Sequence, residues 1–416
     1  MMDNEKSRGM LSPYRVLDLT DEKGLLCGKV LGDLGADVIK VEKPGGDAAR
    51  SIGPFYHDEP HPEKSLFWFA FNANKRGVTL DITTVDGQDI FKRLARTADF
   101  VIESFHPGHM QKLGLGYRAL SKINPRLIMV SITPFGQSGP YRNYKAPDIV
   151  ATALGGYMYP TGDKDRAPLR ISHHSQAYLH AGAEAAVGAM IALHHRQITG
   201  KGQYIDLSIQ ASVVQNTFVH TSLWDMTKTI TERGGVTRNI KGRQIWPCKD
   251  GFVTWYFVGG AQGVRRCPGL VQWMDSEGFA DDFLKGFDWS TFETAALDPE
   301  VLNRIEEPTA RFFMRHTQAE LLEGAVKYHT TIFPINTARG IVESRQLAAR
   351  EFWVEVEHSE LNTSITYPGA FAHCSETPPQ IYRRAPLIGE HNDEIFRGEL
   401  GLSPEELLRL KEAKVV

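Results

Sequence analysis

YRVLDLT (14–20), ADVIKVE (36–42), GVTLDI (77–82), DFVIESF (99–105) and RLIMVSI (126–132) are the stretches that decide the fold of this chain. Each is a short, β-branched, apolar run bounded by Gly, Pro, Asp or Asn, which is the pattern of a strand. The segments between them are long enough for crossover helices, and Ile90, Phe91, Leu94 and Ala95 mark one apolar helical face. Strands that are apolar on both faces and alternate with helices predict a buried, mostly parallel sheet in an α/β fold.

Outward from this core, QAYLHAGAEAAVGAMIALHHR (176–196) predicts a long helix dense in Ala and Gly. Such small residues suit close packing in the core more often than a seam between chains. Near residue 220 the pattern changes to short strands such as GFVTWYF, glycine pairs, and amphipathic segments such as LLEGAVKYH. This predicts a smaller α+β domain over 216–334, inserted into a larger discontinuous domain of 1–215 and 335–416. A Ser-Pro-Glu-Glu helix start stands at Ser403.

The composition sets outer bounds. With 416 residues, two or three domains are expected. Lys and Arg total 47 against 50 Asp and Glu, a net charge of −3, which gives no electrostatic reason to expect nucleic acid or an anionic membrane as partner. Mean hydropathy is −0.29, and no run approaches the ~18 apolar residues of a membrane-spanning helix. MMDNEKSRGML is too polar for a secretory signal. Cys27, Cys248, Cys267 and Cys374 lie far apart without a CxxC pair, as expected for reduced thiols of a cytoplasmic protein.

Several familiar motifs are missing: GxGxxG after the first strand, GxxxxGK[ST], GxSxG and HExxH. The pairs His173–His174 and His194–His195 have no carboxylate or third histidine at ligand spacing, so no metal is expected. Three other stretches place cations beside strand ends: LGADVIKVEKPGGDAAR (34–50), FNANKRGVTLDI (71–82) and ESFHPGHMQKLGLGY (103–117). Open α/β sheets collect ligands at the carboxyl ends of their strands, and cations there suit a phosphate-rich anion.

Together with ITPFGQSGPYRNYKAPDIVATALGGYMYPTG (132–162), RQITGKGQYIDLSIQAS (196–212) and RRAPLIGEHNDEIF (383–396), these segments resemble the family III CoA-transferases. That family includes carnitine and formyl-CoA transferases, the bile-acid-inducible type and α-methylacyl-CoA racemase. The resemblance runs from about residue 14 to the C-terminus. It implies a Rossmann-like large domain, a small domain, and two chains interlocked as rings. It also implies coenzyme A or an acyl-CoA as ligand, with no prosthetic group. By the same resemblance Lys43, Lys75, Ser104, Phe105, Lys112 and Lys145 are candidate CoA contacts. Gly259 and Gly260 resemble the glycine loop that closes over the active site.

Two departures matter. The run from Gly182 to Gly202 aligns without gaps, so the family's nucleophilic Asp falls on Tyr178. A phenol has no acyl carbon and cannot carry CoA as a thioester, and at pH 7 only about one in 10³ such groups is ionised. Asp163 and Asp165 lie nearby in sequence with nothing to position them. The first loop, TDEKGLLCG (20–28), is one residue shorter than the family pattern and lacks its Ala-Gly-Pro. Pro147 and Tyr178 also stand where the racemase branch has its proton-transfer pair.

The chain thus resembles the Asp-less subunit type of benzylsuccinate CoA-transferase, from anaerobic toluene degradation. The first expectation is a subunit that moves CoA between a thioester such as succinyl-CoA and a carboxylic acid such as benzylsuccinate. It would pair with a paralogue that keeps the Asp, and be inactive alone. The alternatives are a homodimeric acyl-CoA enzyme using Tyr178 in altered chemistry, and a CoA-binding regulatory protein without turnover.

Overall fold

The computed structural model describes residues 9–162, 165–172, 174–231, 233, 242–292 and 298–416. Its main sheet contains β1 (Arg15–Leu19), β2 (Asp37–Glu42), β3 (Lys75–Thr79), β4 (Phe100–Glu103), β5 (Ile128–Thr133) and β6 (Tyr204–Ser208). The strand order is β3-β2-β1-β4-β5-β6, and every neighbouring pair is parallel. The expected α/β class and parallel sheet are therefore present. Two differences from the sequence pattern have physical causes. β3 begins at Lys75 because Lys75 and Arg76 are buried within the strand, although charged residues there look like a boundary. β6 lies at the sheet edge, so its polar-interrupted YIDLS gives only a weak strand signal.

Helices accompanying this sheet include α1 (Leu25–Asp33), α2 (Leu66–Asn72), α3 (Val85–Ala95), α4 (His109–Lys112), α5 (Tyr117–Ile123), α6 (Asp148–Leu154) and α7 (Gln176–Thr199). Side chains alternate across each strand and so feed two cores. Leu17, Ile39 and Val101 pack with Ile90, Phe91 and Leu94 of α3. Val16, Val38, Phe100 and Ile102 pack with α1 and α7 through Cys27, Leu31, Ala181, Ala185 and Ala189. The small residues of α7 allow this closeness: a Cβ built on Gly182 would lie 2.8 Å from Leu26 Cβ.

Two compact units divide the chain: Met1–Met158, Arg170–Thr227 and Ala348–Val416 in one, Tyr159–Leu169 and Lys228–Leu347 in the other. In the first, β10 (Trp353–His358) and β11 (Thr363–Pro368) form an antiparallel pair, and Ser403 caps the helix Pro404–Glu412 in a reciprocal box with Glu406. The second contains the antiparallel sheet β7 (Ile245–Cys248), β8 (Gly251–Thr254) and β9 (Phe333–Pro334). Its aromatic core includes Trp246, Trp255, Phe257, Phe312 and Phe313. Among the described residues no helix is long and apolar enough to cross a membrane.

Under the first strand–helix turn lies a charge pair without access to water. Lys75 Nζ donates to Asp18 Oδ2 at 2.8 Å, and both side chains are fully buried. Lys75 also donates to the Leu25 carbonyl and the Asn72 side chain. The other Asp18 oxygen accepts from Thr20 N–H and Thr20 Oγ at 2.9 and 2.6 Å. Burial raises the Asp18 carboxyl, but the Lys75 and Lys40 charges outweigh it and hold the group below its ordinary range. α1 crosses here on Gly28, where a Cβ would lie 2.3 Å from Asp18 Oδ2. Removing one partner strands the other charge in the core. Lys75→Ala is therefore expected to lower stability in urea by about 3–5 kcal/mol, and the double change Asp18→Asn, Lys75→Met to recover a substantial part.

Candidate functional site

The strand order fixes where a ligand can enter. The chain runs outward from β1 through β2 to β3, returns to β4, and runs outward the other way through β5 to β6. The loops after the adjacent strands β1 and β4 therefore part, opening a crevice at their carboxyl ends. Two cavities meet the first of these loops. One, of about 510 Å³, is lined by Asp21, Lys43, Asp47, Ser104, Phe105 and His109, among others. The other, of about 400 Å³, is lined by Glu22, Pro54, Leu66, Phe67, Phe71, Tyr178 and neighbouring residues. Successive loop residues, Asp21 and Glu22, thus face different chambers.

The polar chamber is tightly cross-linked. Ser104 Oγ donates to Asp21 Oδ1 at 2.7 Å and accepts from Asp21 N–H at 2.8 Å, tying the loop after β1 to that after β4. Lys23 pairs with the same Asp21 side chain. Asp47 caps the short helical turn after it by accepting from Ala49 N–H, and faces Lys40 at 3.3 Å. The Phe105 ring lies 4.7 Å from the imidazole of His109. Burial, then the Lys112 charge, lower the His109 pKa, which favours neutral imidazole at the cleft.

The second chamber is mostly apolar, with the Phe67 and Phe71 rings 4.7 Å apart. Tyr178 is buried at its wall on α7, and its hydroxyl donates to the Ala146 carbonyl at 3.2 Å. Asp148 caps α7: its Oδ1 accepts from Ala177 N–H at 2.7 Å and Tyr178 N–H at 3.3 Å. Burial, with the Glu22, Asp148 and Asp21 charges, pushes the phenol well above its ordinary value. The hydroxyl stays protonated at neutral pH and is already engaged with a protein carbonyl.

Of the residues singled out in the sequence, Lys43, Ser104 and Phe105 come together in the polar cleft, with Lys43 exposed. Lys112 and Lys145 are exposed and lie outside both linings. Lys75 is placed differently. A fully buried ammonium with three protein acceptors offers no donor to a ligand phosphate, so a structural role replaces the expected contact. Arg50 and Arg76, the other cations of these segments, are likewise paired inward. Arg50 bonds both oxygens of Glu42 at 2.7 and 2.8 Å, while Arg76 meets Asp37, Glu394 and Glu399. Gly259 precedes the helix Gly260–Ser276 of the second unit, and Gly260 has φ 63°, which suits glycine. Asp163 and His173 lie outside the described residues, and Asp165 is exposed. Among the described residues no group of three His, Cys, Asp or Glu side chains is arranged to hold a metal. Glu22 is one of several lining residues, with Asp47, His109, Phe67 and Phe71, that sequence reading passes over. Its signal was the place it occupies, the end of the first strand in a shortened loop.

A doubly wound parallel sheet with its crevice at the central switch point defines an α/β protein that takes a ligand above β1 and β4. The CoA-transferase family III profile matches residues 11–392, and the chain belongs to that family. It is 36% identical over 394 residues to "Succinyl-CoA:(R)-benzylsuccinate CoA-transferase subunit BbsE" of Thauera aromatica, covering 92% of this chain and 93% of that protein. It is 32% identical to "Succinyl-CoA--D-citramalate CoA-transferase" of Chloroflexus aurantiacus across 100% of both chains. Among solved structures, a CAIB/BAIF family protein from Brucella suis superposes with a TM-score of 0.79 at 28% identity, covering 93% of this chain and 98% of that one.

One acid beside the cleft provides a pH test. Glu103, at the end of β4, accepts from Phe105 N–H at 2.8 Å and from the Ser131 hydroxyl. Burial raises its pKa from 4.5 to about 7. Between those values the folded chain holds a proton that the unfolded chain releases, so stability falls as pH rises from 4.5 to 7. Glu103→Gln should flatten that part of the thermal-melting profile.

Proposed function

We propose that this chain is one subunit of a heteromeric CoA-transferase that moves CoA between a thioester and a carboxylic acid. Its partner would be a related subunit with an aspartate at the position held here by Tyr178. The observation that carries this reading is Tyr178 itself, a protonated phenol whose hydrogen is donated to Ala146. It cannot take up an acyl group as a carboxylate does. The same engagement weighs against altered chemistry centred on the phenol. The full-length match to transferases weighs against a purely regulatory CoA-binding protein.

The ligands divide between the two chambers. CoA would lie in the polar cleft of the large domain, with Lys43 available to a phosphate and Ser104 and Phe105 lining its path. The acyl part would enter the apolar chamber, whose Leu66, Phe67 and Phe71 suit an acid with a hydrophobic or aromatic body such as benzylsuccinate. Succinyl-CoA is the natural donor to try, because the names of both relatives above contain it.

Three measurements test this. Native mass spectrometry of the protein from its own source should show a 1:1 complex with a paralogue, and a homo-oligomer as the sole species would overturn the subunit reading. Lys43→Ala should weaken CoA binding by calorimetry roughly tenfold, as loss of one charge-assisted phosphate contact worth about 1–2 kcal/mol does. Tyr178→Phe should leave turnover of the complex within a factor of about three, since only a hydroxyl bound to a backbone carbonyl is lost. A hundredfold fall in a folded complex would instead assign the phenol a chemical role.

A further inference from the structure

A third cavity, of about 470 Å³, lies beside β10 and shares no lining residue with the two chambers described above. Arg383 and His391 line it, both half-buried, and the segment 74–77 fixes the backbone of each. Arg383 N–H donates to Asn74 Oδ1 at 3.2 Å, and the Arg383 carbonyl accepts from Asn74 N–H at 2.9 Å. His391 N–H donates to the Gly77 carbonyl at 2.9 Å, and its ring Nδ1 accepts from Gly77 N–H at 3.1 Å. With Nδ1 accepting, the neutral imidazole carries its proton on Nε2. Burial lowers the His391 pKa; the Glu390 charge opposes this and the Arg383 charge adds to it. Arg383 Nη1 stands 3.4 Å from that Nε2. Both atoms are donors, and neither can satisfy the other. Among the described residues the Arg383 guanidinium has no ion pair, whereas its neighbour Arg384 is held by Glu360 and Glu390.

We propose that Arg383 and His391 form a binding site for the carboxylate of a small molecule whose far end bears no negative charge. Two facing donors are reconciled by a shared acceptor. A carboxylate oxygen about 2.8 Å from Nη1 and from Nε2 completes a triangle with them, and the guanidinium charge strengthens its share of the contact. The rest of the lining sets the selectivity. Glu355 and Glu357 of β10 fall on one face of the strand and both line the cavity. Glu355 accepts from the Thr366 hydroxyl, while Glu357 has no hydrogen bond or ion pair among the described residues. These carboxylates repel a second anionic group, so a monocarboxylate fits better than a dicarboxylate or a phosphate ester. The donors are held in place before a ligand arrives, because both backbones are anchored on the segment 74–77. The site would hold a carboxylic acid that takes no part in transfer.

The test titrates sodium acetate, at constant ionic strength, into the full-length protein in its native assembly with ¹⁵N-labelled histidine. The imidazole signal lost in His391→Asn identifies His391. That signal is expected to move saturably with acetate. Arg383→Gln should weaken the response about tenfold, as loss of one charge-assisted contact does, and Arg383→Lys should keep it within about threefold. Succinate should bind several-fold more weakly than acetate, with Glu357→Gln narrowing the gap. An unmoved His391 signal in the unaltered protein, or a response that survives Arg383→Gln unchanged, would overturn the site. Succinate or phosphate binding as tightly as acetate would overturn its selectivity.

Discussion

Much of this molecule hangs on one buried ion pair. Lys75 reaches from β3 across β2 to Asp18 at the end of β1, and the same ammonium bonds the first residue of α1 and the last residue of α2. Two opposite charges in a site without water are tolerable only when each is fully satisfied, and here they are. Asp18 is bound on both oxygens, and Gly28 leaves room for the helix to pass over it. A second buried lysine, Lys40, holds the Thr20 carbonyl immediately beyond. The loop after β1 is thereby clamped from below before any ligand arrives.

That clamp gives the crevice its division of labour. A loop held at Thr20 and Asp21 can present neighbouring residues to different surroundings: Asp21 to a cleft with a lysine, a serine and an imidazole, Glu22 to a chamber of leucine and phenylalanine. Preorganisation of this kind lowers the ordering cost of binding. It also separates a site suited to a charged, phosphate-bearing ligand from one suited to an acyl body. Tyr178 lines the apolar chamber with a ring whose hydroxyl is turned to a backbone carbonyl.

The strands were legible because burial on both faces leaves an uninterrupted apolar record, as in RVLDL, DVIKVE and IMVSIT. The helix of α7 was legible through its small residues, and its role in close packing follows from Gly182 against Leu26. β6 was not, since an edge strand carries only half the apolar signal. Lys43, Ser104 and Phe105 were candidates by family resemblance, and they stand just beyond strand ends, lining one cleft.

Sequence by itself determined the α/β class, the parallel core and the family, all of which depend on periodicity and motif order along the chain. The tertiary structure alone decided which charges were free. Lys43 and Lys75 look alike in sequence, each a lysine beside a strand end, yet one is exposed at a cleft and the other sealed against Asp18. The same holds for Glu22 among its acidic neighbours. Whether a charge meets ligand or core depends on partners far along the chain, 57 positions away for Lys75 and Asp18 and 323 for Arg76 and Glu399, and local sequence carries no record of that distance.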